Sequence, residues 1–448
     1  MTPTPLTRRT LLRQTLGAGL GGLGALTAQA QTASDYKALI CIFLMGGNDG
    51  HNMVVPLSPA AFNAYKTARP GLALPDNNTT LLSVAARNGV PYGLNSGLSA
   101  LHPLWAQQKL AVVANMGMLV RPTTRAQYLA ASVNLPSNLF SHSDQIVQMQ
   151  AGDPIGAAGG TGWAGRIADA SLARNSGTTF PPSISVAGSA LFCAGKTVQS
   201  ASLLPGFDLT PDGMAAWPAS AAAAKAKALQ EILALDSGLA MVQTANRVRQ
   251  DASALNGLLK AAGSGGGLGT AFPGTGLGQQ LKQVAQIIKL RASTGVGRQV
   301  FFCSLGGFDT HSGQSWQQWD LLRQLSEAML AFYNATGEMG VANQVTTFTA
   351  SEFGRSLQPS GTGTDHGWGN HQLLLGGAVR GGDLYGTFPT PALGGADDAG
   401  SRGVLIPTTA LDQFGATLAR WFGLSPAALL TVFPNLGNFA TSDLGFMS

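Results

Sequence analysis

Cysteine is scarce in this chain of 448 residues, which contains only Cys41, Cys193 and Cys303. Three is an odd number and no CxxC spacing occurs, so the sequence argues against both a disulfide framework and a metal site held by thiolates. Cys41 and Cys303 lie inside apolar runs of strand length. We expect these two cysteines to be small hydrophobic residues of the core.

Charge is also sparse, since Asp, Glu, Lys and Arg make up 11% of the residues. The chain has 27 Lys and Arg against 22 Asp and Glu, and Arg8, Arg9 and Arg13 fall in the first 30 residues. Without them the balance is 24 (27 minus 3) against 22. A body so close to neutral offers no electrostatic footprint for nucleic acid or for an anionic membrane surface. We therefore expect no nucleic-acid partner.

The N-terminal 30 residues lack the run of roughly 20 strongly apolar residues that a membrane span needs. Their apolar stretch from Leu16 to Thr27 is short and rich in glycine. It follows the pair Arg8-Arg9 and precedes the small-x-small sequence Ala28-Gln29-Ala30. This order is typical of a twin-arginine signal peptide at residues 1–30. We predict export by the twin-arginine translocase, a periplasmic or secreted mature protein, and no stable membrane anchor.

Apolar runs of strand length alternate with helix-like segments over residues 31–448. Continuous apolar runs suit strands covered on both faces, and their alternation with helices predicts an α/β domain with a mostly parallel sheet and helices on both faces. The predicted strands are Ala38–Met45, Leu110–Asn115, Ile184–Ala187, Gln299–Leu305, Gln344–Ala350 and Gln372–Leu375. The predicted helices are Ser58–Ala68, Gly97–Gln108, Gly162–Arg174, Trp316–Asn334 and Thr408–Phe422. An alanine-rich segment, Pro218–Ala240, predicts a helical insertion, and a Gly/Thr/Ser tract, Ala262–Gly278, predicts a flexible loop. Together they predict a helical and glycine-rich insertion at about 205–290 within this single domain.

Three of the predicted strands end in short polar segments that contain an acid: Gly46–His51, Gly306–His311 and Ser351–Arg355. Ligands of parallel α/β sheets bind beyond these carboxyl ends. The chain has six histidines, and four of them, His51, His311, His366 and His371, lie in these segments or in Asp365–His371. Imidazoles and carboxylates are ligands of zinc and similar divalent ions. Each acid alone is typical of a helix cap or turn, but together they favour a metal site.

Ser141 is the candidate nucleophile, because the segment Leu139–Asp144 precedes a predicted helical run, Gln145–Gln150, and this places Ser141 near a helix N-terminus. A hydroxyl at a helix N-terminus lies near unpaired backbone N–H groups, which suit an anionic ester. The local alternative is that Ser141 only caps the helix, with Asp144 as the acid of a capping box. The local sequence favours the cap.

The assembled motifs are similar to those of the bacterial twin-arginine-exported family called domain of unknown function 1501. The matching segments are GGNDGHNMVVPL from Gly46, LFSHSDQ from Leu139, GWAGRIAD from Gly162, GGFDTH from Gly306, TASEFGRS from Thr349 and TDHGWGNHQLLLGG from Thr364. That family is grouped with the alkaline phosphatase and sulfatase superfamily. The resemblance implies an alkaline-phosphatase-like α/β core with a metal site.

The resemblance also implies roles for individual residues. Ser141 would be the nucleophile, and substrate contacts would come from Asn48, His142 and Arg355. The metal ligands would be Asp49, Asp309, His311, Glu352, His366 and His371. Two departures from the superfamily pattern stand out. Asp309 and His311 are two residues apart where four is usual, and Phe353 occupies the place of a ligating histidine. The gap left by Phe353 would have to be filled by His142 or His371.

These features predict an exported metal-dependent hydrolase that acts on phosphate or related oxyanionic esters of a small molecule or a polymer. The cofactor would be one or two divalent ions, with zinc favoured and magnesium, calcium and manganese as alternatives. An arylsulfatase is disfavoured, because no cysteine lies in a CxPxR context. The alternative is an exported surface or assembly protein that keeps the fold without catalysis.

The signal peptide gives the first testable prediction. Replacing Arg8 and Arg9 together by lysine should leave the full-length precursor in the cytoplasm, because the translocase reads the arginine pair. Cell fractionation checks this outcome, and N-terminal sequencing of the exported wild type should find a start near Gln31. Normal export of the double variant would contradict the prediction.

Overall fold

A computed structural model describes residues 35–156, 159–178, 180–206, 217–264 and 267–448. The predicted signal peptide, residues 1–30, lies outside these ranges.

A nine-stranded sheet forms the centre of the molecule, with strand order β11-β5-β10-β9-β1-β8-β6-β7 and with β12 paired to β5. Among the described strands of this sheet, β10 alone runs antiparallel to the rest. The mostly parallel sheet predicted from the sequence is thus confirmed. The strands are β1 Lys37–Met45, β2 Val54–Pro56, β3 Leu81–Ala85, β4 Pro91–Asn95, β5 Leu110–Gly117, β6 Ser183–Ser185, β7 Ala201–Ser202, β8 Arg298–Gly306, β9 Val345–Ala350, β10 Asn370–Gly376, β11 Asp383–Tyr385 and β12 Thr409–Ala410.

Helices lie between the strands along the chain. They are α1 Gly50–Met53, α2 Pro59–Ala68, α3 His102–Ala106, α4 Arg125–Leu129, α5 His142–Ala151, α6 Trp163–Ala170, α7 Ala219–Ala234, α8 Ala240–Ser264, α9 Gly276–Lys289, α10 Arg291–Thr294, α11 Gln314–Glu338, α12 Leu411–Phe422 and α13 Pro426–Val432. Within the described ranges, none of these helices is both long and apolar enough to cross a membrane.

The central strand β1 shows why both faces of the sheet are covered. Its side chains alternate between the two faces, so Ile40 and Ile42 join one buried cluster while Leu39 and Phe43 join the other. The first cluster includes apolar residues of α9 and α11, and the second includes apolar residues of α6 and α12. Helices therefore lie on both faces, as predicted. All three cysteines are buried and free, and Cys41 and Cys303 lie in the core, as expected.

The segment predicted as an insertion, at about 205–290, contains helices α7, α8 and α9. Helix α7 has no buried residue among those described, whereas α9 buries Leu281, Val284 and Ile288 in the core. The predicted loop Ala262–Gly278 also overlaps two helices, since α8 continues to Ser264 and α9 begins at Gly276. The reason is that the apolar residues of α9 recur at helical spacing and face the sheet, so this segment belongs to the core.

A second sheet of three antiparallel strands, in the order β2-β4-β3, was not predicted. Its middle strand β4 begins with Pro91 and contains Gly93, residues that are typical of turns. The predicted helix Gly97–Gln108 is likewise split into a 3-10 turn, Ser96–Leu98, and the short helix α3. These differences lie beside the main sheet and leave its strand order unchanged.

Three neighbouring parallel strands, β9, β1 and β8, end at the same edge of the sheet. Met45 pairs with Gly306, and Phe43 pairs with Ala350. Gly46 connects these ends, because its N–H donates to Glu352 Oε1 at 2.7 Å and its carbonyl accepts from Arg355 Nη1 at 3.1 Å. The segments that follow the three strands therefore meet, as parallel pairing predicts.

Gly46 gives a prediction about this junction. Its φ is +113°, and a Cβ atom there would lie 2.3 Å from the backbone nitrogen of Asp309. Gly46→Ala should therefore lower the free energy of unfolding by about 2 kcal/mol or more, measured by urea denaturation. The matched control is Gly437→Ala, because a Cβ atom at Gly437 meets open space, and its change should stay within about 0.5 kcal/mol. Equal effects of the two substitutions would contradict the prediction.

Candidate metal centre

Three histidine side chains from different parts of the chain converge on the carboxylate of Asp309. His142 is the first residue of α5, His311 follows β8, and His366 lies in the loop between β9 and β10. Their Nε2 atoms lie 3.4 Å, 2.9 Å and 3.4 Å, respectively, from Asp309 Oδ1. We call Asp309, His142, His311 and His366 the candidate centre.

The tautomers of two of these histidines follow from their other ring nitrogen. His366 Nδ1 lies 2.7 Å from the carbonyl oxygen of Phe140, and His142 Nδ1 lies 2.9 Å from Glu352 Oε1. A carbonyl oxygen only accepts hydrogen bonds, as does an ionised carboxylate, so Nδ1 carries the hydrogen in both rings. In the neutral rings each Nε2 therefore offers a lone pair to the centre.

The arrangement fits a divalent cation. The ligand atoms of His142, Asp309 and His366 all lie within 4.8 Å of one another. His142 Nε2 is buried without a hydrogen-bond partner among the described residues. His311 Nε2 and His366 Nε2 face each other at 3.1 Å, a contact that needs a proton or a cation between the two nitrogens. Imidazole nitrogens whose Nδ1 is held by an oxygen, together with a carboxylate, are a ligand set that zinc accepts.

Arg355 controls the charge of the centre. Its buried guanidinium donates to Asp309 Oδ1 at 2.7 Å and to the Gly46 carbonyl at 3.1 Å, and it also bonds to Thr364. Partial burial raises the pKa of Asp309, but the hydrogen bond and charge of Arg355 outweigh burial and hold that pKa below its usual value. Asp309 is thus a carboxylate at neutral pH. Arg355, predicted to bind substrate, is placed to hold Asp309.

Phe353 lies against two histidines of the centre. Its ring stacks on His366 with centroids 4.8 Å apart and tilts against His142 at 4.7 Å. Burial lowers the pKa of His366, which favours the neutral ring that a metal ion needs. The phenylalanine in the place of the expected ligand therefore forms an apolar wall, and His142 supplies the imidazole on this side.

The glycine-rich loop between β9 and β10 brings His366 back to the centre. Arg355 and His366 pair as an antiparallel bridge, and Gly354 N–H donates to the Trp368 carbonyl at 3.1 Å. A Cβ atom on Gly354 would lie 2.1 Å from the Gly369 carbonyl oxygen. The close approach of the two halves of the loop requires glycine, and it places Arg355 and His366 side by side.

Asp49, a predicted metal ligand, is not brought into this group. It is buried and forms an ion pair with the buried side chain of Arg69, and it also accepts hydrogen bonds from Gln314 and from the backbone N–H of His51. Burial lowers the pKa of Arg69 to about 9, so the guanidinium is still charged at neutral pH. The charge of Asp49 is therefore neutralised within the protein, and the carboxylate is not free to bind a cation.

His371 and Asn48 also lie apart from the centre. His371 is buried in β10, its Nδ1 accepts the N–H of Asn115 at 3.0 Å, and burial lowers its pKa to about 3. The side chain of Asn48 is fully buried and accepts a hydrogen bond from Gln318. Glu352 is nearer, but its Oε1 holds His142 and Gly46, so it orients a histidine of the centre. Of the two residues proposed to replace the missing ligand, the structure brings in His142.

Ser141 occupies the N-cap position of α5, but no hydrogen bond from the helix backbone reaches its hydroxyl. The hydroxyl instead donates to the Asp144 carboxylate and lies 3.1 Å from Ser143 Oγ. The capping box expected from Ser141 and Asp144 is therefore not formed, because the two side chains bond to each other. In the described part of the chain, Ser141 makes no hydrogen bond to the candidate centre.

The Phe140 carbonyl, which orients His366, was not predicted from the sequence. Phe140 has φ +73°, a left-handed conformation that is a genuine outlier for a bulky residue. Such backbone strain tends to occur at functional sites. A backbone carbonyl leaves no mark in the residue type, and the sequence carried no signal for it.

The chain is similar to one family of known proteins. A model of the family described as "Protein of unknown function (DUF1501)" matches residues 36–431. A search of curated proteins gave no match.

The different surroundings of Asp49 and Asp309 give a paired prediction. Asp49→Asn should keep the bound metal but lower the free energy of unfolding by roughly 3–5 kcal/mol, because it leaves Arg69 buried without its counter-charge. Asp309→Asn should lose the metal and lower the free energy of unfolding less than Asp49→Asn does, because Asp309 is half-exposed whereas Asp49 is buried. Elemental analysis and urea denaturation measure both effects. Loss of metal in Asp49→Asn but not in Asp309→Asn would contradict this assignment.

Proposed function

The chain belongs to the domain of unknown function 1501 family, and we propose that it is an exported, metal-dependent hydrolase of phosphate or related oxyanionic esters. The chemical basis of the proposal is the resemblance to the alkaline phosphatase and sulfatase superfamily. The proposal also includes export by the twin-arginine translocase, because a protein exported in the folded state can receive its metal before transport.

The observation that carries the proposal is the convergence of three Nε2 atoms on Asp309 Oδ1. Two of these rings have their Nδ1 fixed by an oxygen, and one Nε2 is buried without a partner among the described side chains. A buried polar atom without a hydrogen bond costs free energy unless something binds it. A divalent ion held by His142, Asp309 and His366, with His311 beside them, would satisfy these atoms.

When bound, the metal would polarise the ester oxygens and lower the pKa of a nearby hydroxyl. The protein's own residues prepare the site for that role. Glu352 and the Phe140 carbonyl hold two imidazoles in one tautomer, Arg355 holds Asp309 ionised, and Phe353 excludes water from one side. The centre is thereby organised before any ligand arrives.

Ser141 is the proposed nucleophile, and it is the neighbour of His142 in the chain. Attack by its oxygen would form a phosphoester bond while the ester's alcohol leaves with a proton. The hydrogen bond from Ser141 is the main reason why the pKa of Asp144 lies below its usual value. The proposal assigns the activation of Ser141 to the metal at the centre.

One observation favours the rival function, an exported surface or assembly protein without catalysis. Arg355 already binds Asp309 Oδ1 at 2.7 Å, and a fixed guanidinium repels a second cation. In that case Asp309, Arg355 and the three histidines form a closed network of hydrogen bonds. Metal binding by the purified protein separates the two functions.

The Ser141 assignment leads to an activity prediction. Ser141→Ala should lower the hydrolysis of 4-nitrophenyl phosphate by the metal-loaded protein about 1,000-fold or more, because it removes the attacking oxygen. Metal content and melting temperature should stay nearly unchanged, since the hydroxyl does not cap the helix. The matched control is Ser143→Ala, which should stay active.

Two results would count against this proposal. Full activity of Ser141→Ala would show that water, and not Ser141, is the nucleophile. A wild-type protein that hydrolyses neither phosphate monoesters, phosphate diesters nor sulfate esters with zinc, magnesium, calcium or manganese would favour the rival function.

A further inference from the structure

His311 differs from the other histidines of the candidate centre in its exposure. Its side chain is 48% exposed, against 30% for His142 and 25% for His366. An exposed imidazole can rotate about two side-chain bonds, so it needs a partner if it is to present Nε2 to the centre.

Asp365 lies where such a partner is needed. Its Oδ1 is 3.4 Å from His311 Nδ1, and its Oδ2 accepts a hydrogen bond from Arg402 Nη1 at 2.6 Å. The backbone of Asp365 is anchored as well, because its N–H donates to Ser356 Oγ at 3.2 Å and its carbonyl accepts from Ser356 N–H at 2.9 Å. The carboxylate is thus held from both sides beside the ring.

We propose that Asp365 is a positioning residue that orients His311 toward the metal, and that Arg402 holds Asp365 in place. The inference rests on the proposed function, since it requires that the centre binds a metal. Asp365 and Arg402 then support the centre, and His311 is its fourth ligand.

The three histidines then follow a single pattern. Each ring turns Nδ1 toward an oxygen, at 2.9 Å from Glu352, 2.7 Å from the Phe140 carbonyl and 3.4 Å from Asp365. Each ring also turns Nε2 toward Asp309 Oδ1. An oxygen acceptor on the far nitrogen fixes the ring and its tautomer and makes the near nitrogen a better ligand.

An ordinary surface ion pair would not account for this placement. The pair of Arg420 and Asp443 is an ordinary one, with 3.8 Å between its charged atoms and side chains exposed to 42% and 46%. Asp365 and Arg402 are exposed to similar extents, 38% and 44%, but Asp365 uses both oxygens and one of them faces a histidine of the centre. Exposed pairs of either kind add little to stability.

The test is a zinc titration of the metal-free protein by calorimetry, in the wild type and in Asp365→Asn. The substitution should weaken zinc binding roughly 10- to 100-fold, because the ring loses its charged partner. Arg402→Gln should weaken binding less. The matched control Asp443→Asn should bind zinc as the wild type does, and the melting temperatures of all the metal-free variants should agree.

A second background shows whether Asp365 acts through His311. In His311→Ala, the further change Asp365→Asn should have no additional effect on zinc affinity, since the two residues are coupled. The inference is overturned if Asp365→Asn binds zinc like a zinc-binding wild type, if Asp443→Asn weakens binding equally, or if the effect persists without His311. A wild type that binds no metal would overturn the proposed function and this inference together.

Discussion

The carboxylate of Asp309 is the point on which the candidate centre depends. One of its oxygens lies within 3.4 Å of the Nε2 atoms of three histidines and receives a hydrogen bond from Arg355. The negative charge of Asp309 attracts a cation, whereas the neighbouring guanidinium of Arg355 opposes one. The balance between the Asp309 carboxylate and the Arg355 guanidinium therefore determines how strongly the site attracts a cation. The contacts that hold the histidines and Asp309 in place affect the same balance. Glu352 and the Phe140 carbonyl turn two histidines toward the carboxylate, and Arg355 keeps it ionised.

The parallel pairing of β9, β1 and β8 makes this convergence possible. It brings Glu352, Gly46 and Asp309 to one edge of the sheet. Even the two that are nearest in the chain, Asp309 and Glu352, are more than 40 residues apart. The apolar runs of the sequence predicted these strands to within a residue or two at either end. Continuous apolar runs are typical of strands in a sheet that is covered on both faces. That sheet edge, and the grouping of Asp309, His311 and His366 there, could be predicted from the sequence.

Other parts of the site could not be predicted, because they depend on partners that only the fold brings together. Asp49 has the same kind of position after a strand as Asp309, but Arg69 lies buried against it. His371 follows a glycine-rich loop as a ligand would, yet its Nδ1 is taken by the Asn115 backbone. The sequence could not show either contact, since the nearer partner is 20 residues away and the other 256. His142 shows the reverse case. It was predicted to contact the substrate, but as the first residue of α5 it belongs to the candidate centre.

The central claim is that the three histidines and Asp309 hold a divalent metal ion. Anomalous diffraction at the zinc edge, from crystals of the zinc-loaded protein, tests it most directly. The account predicts one strong peak at about 2.0–2.2 Å from the Nε2 atoms of His142, His311 and His366 and from a carboxylate oxygen of Asp309. A zinc-treated crystal with no peak among these side chains, or with its zinc bound elsewhere, would contradict the account.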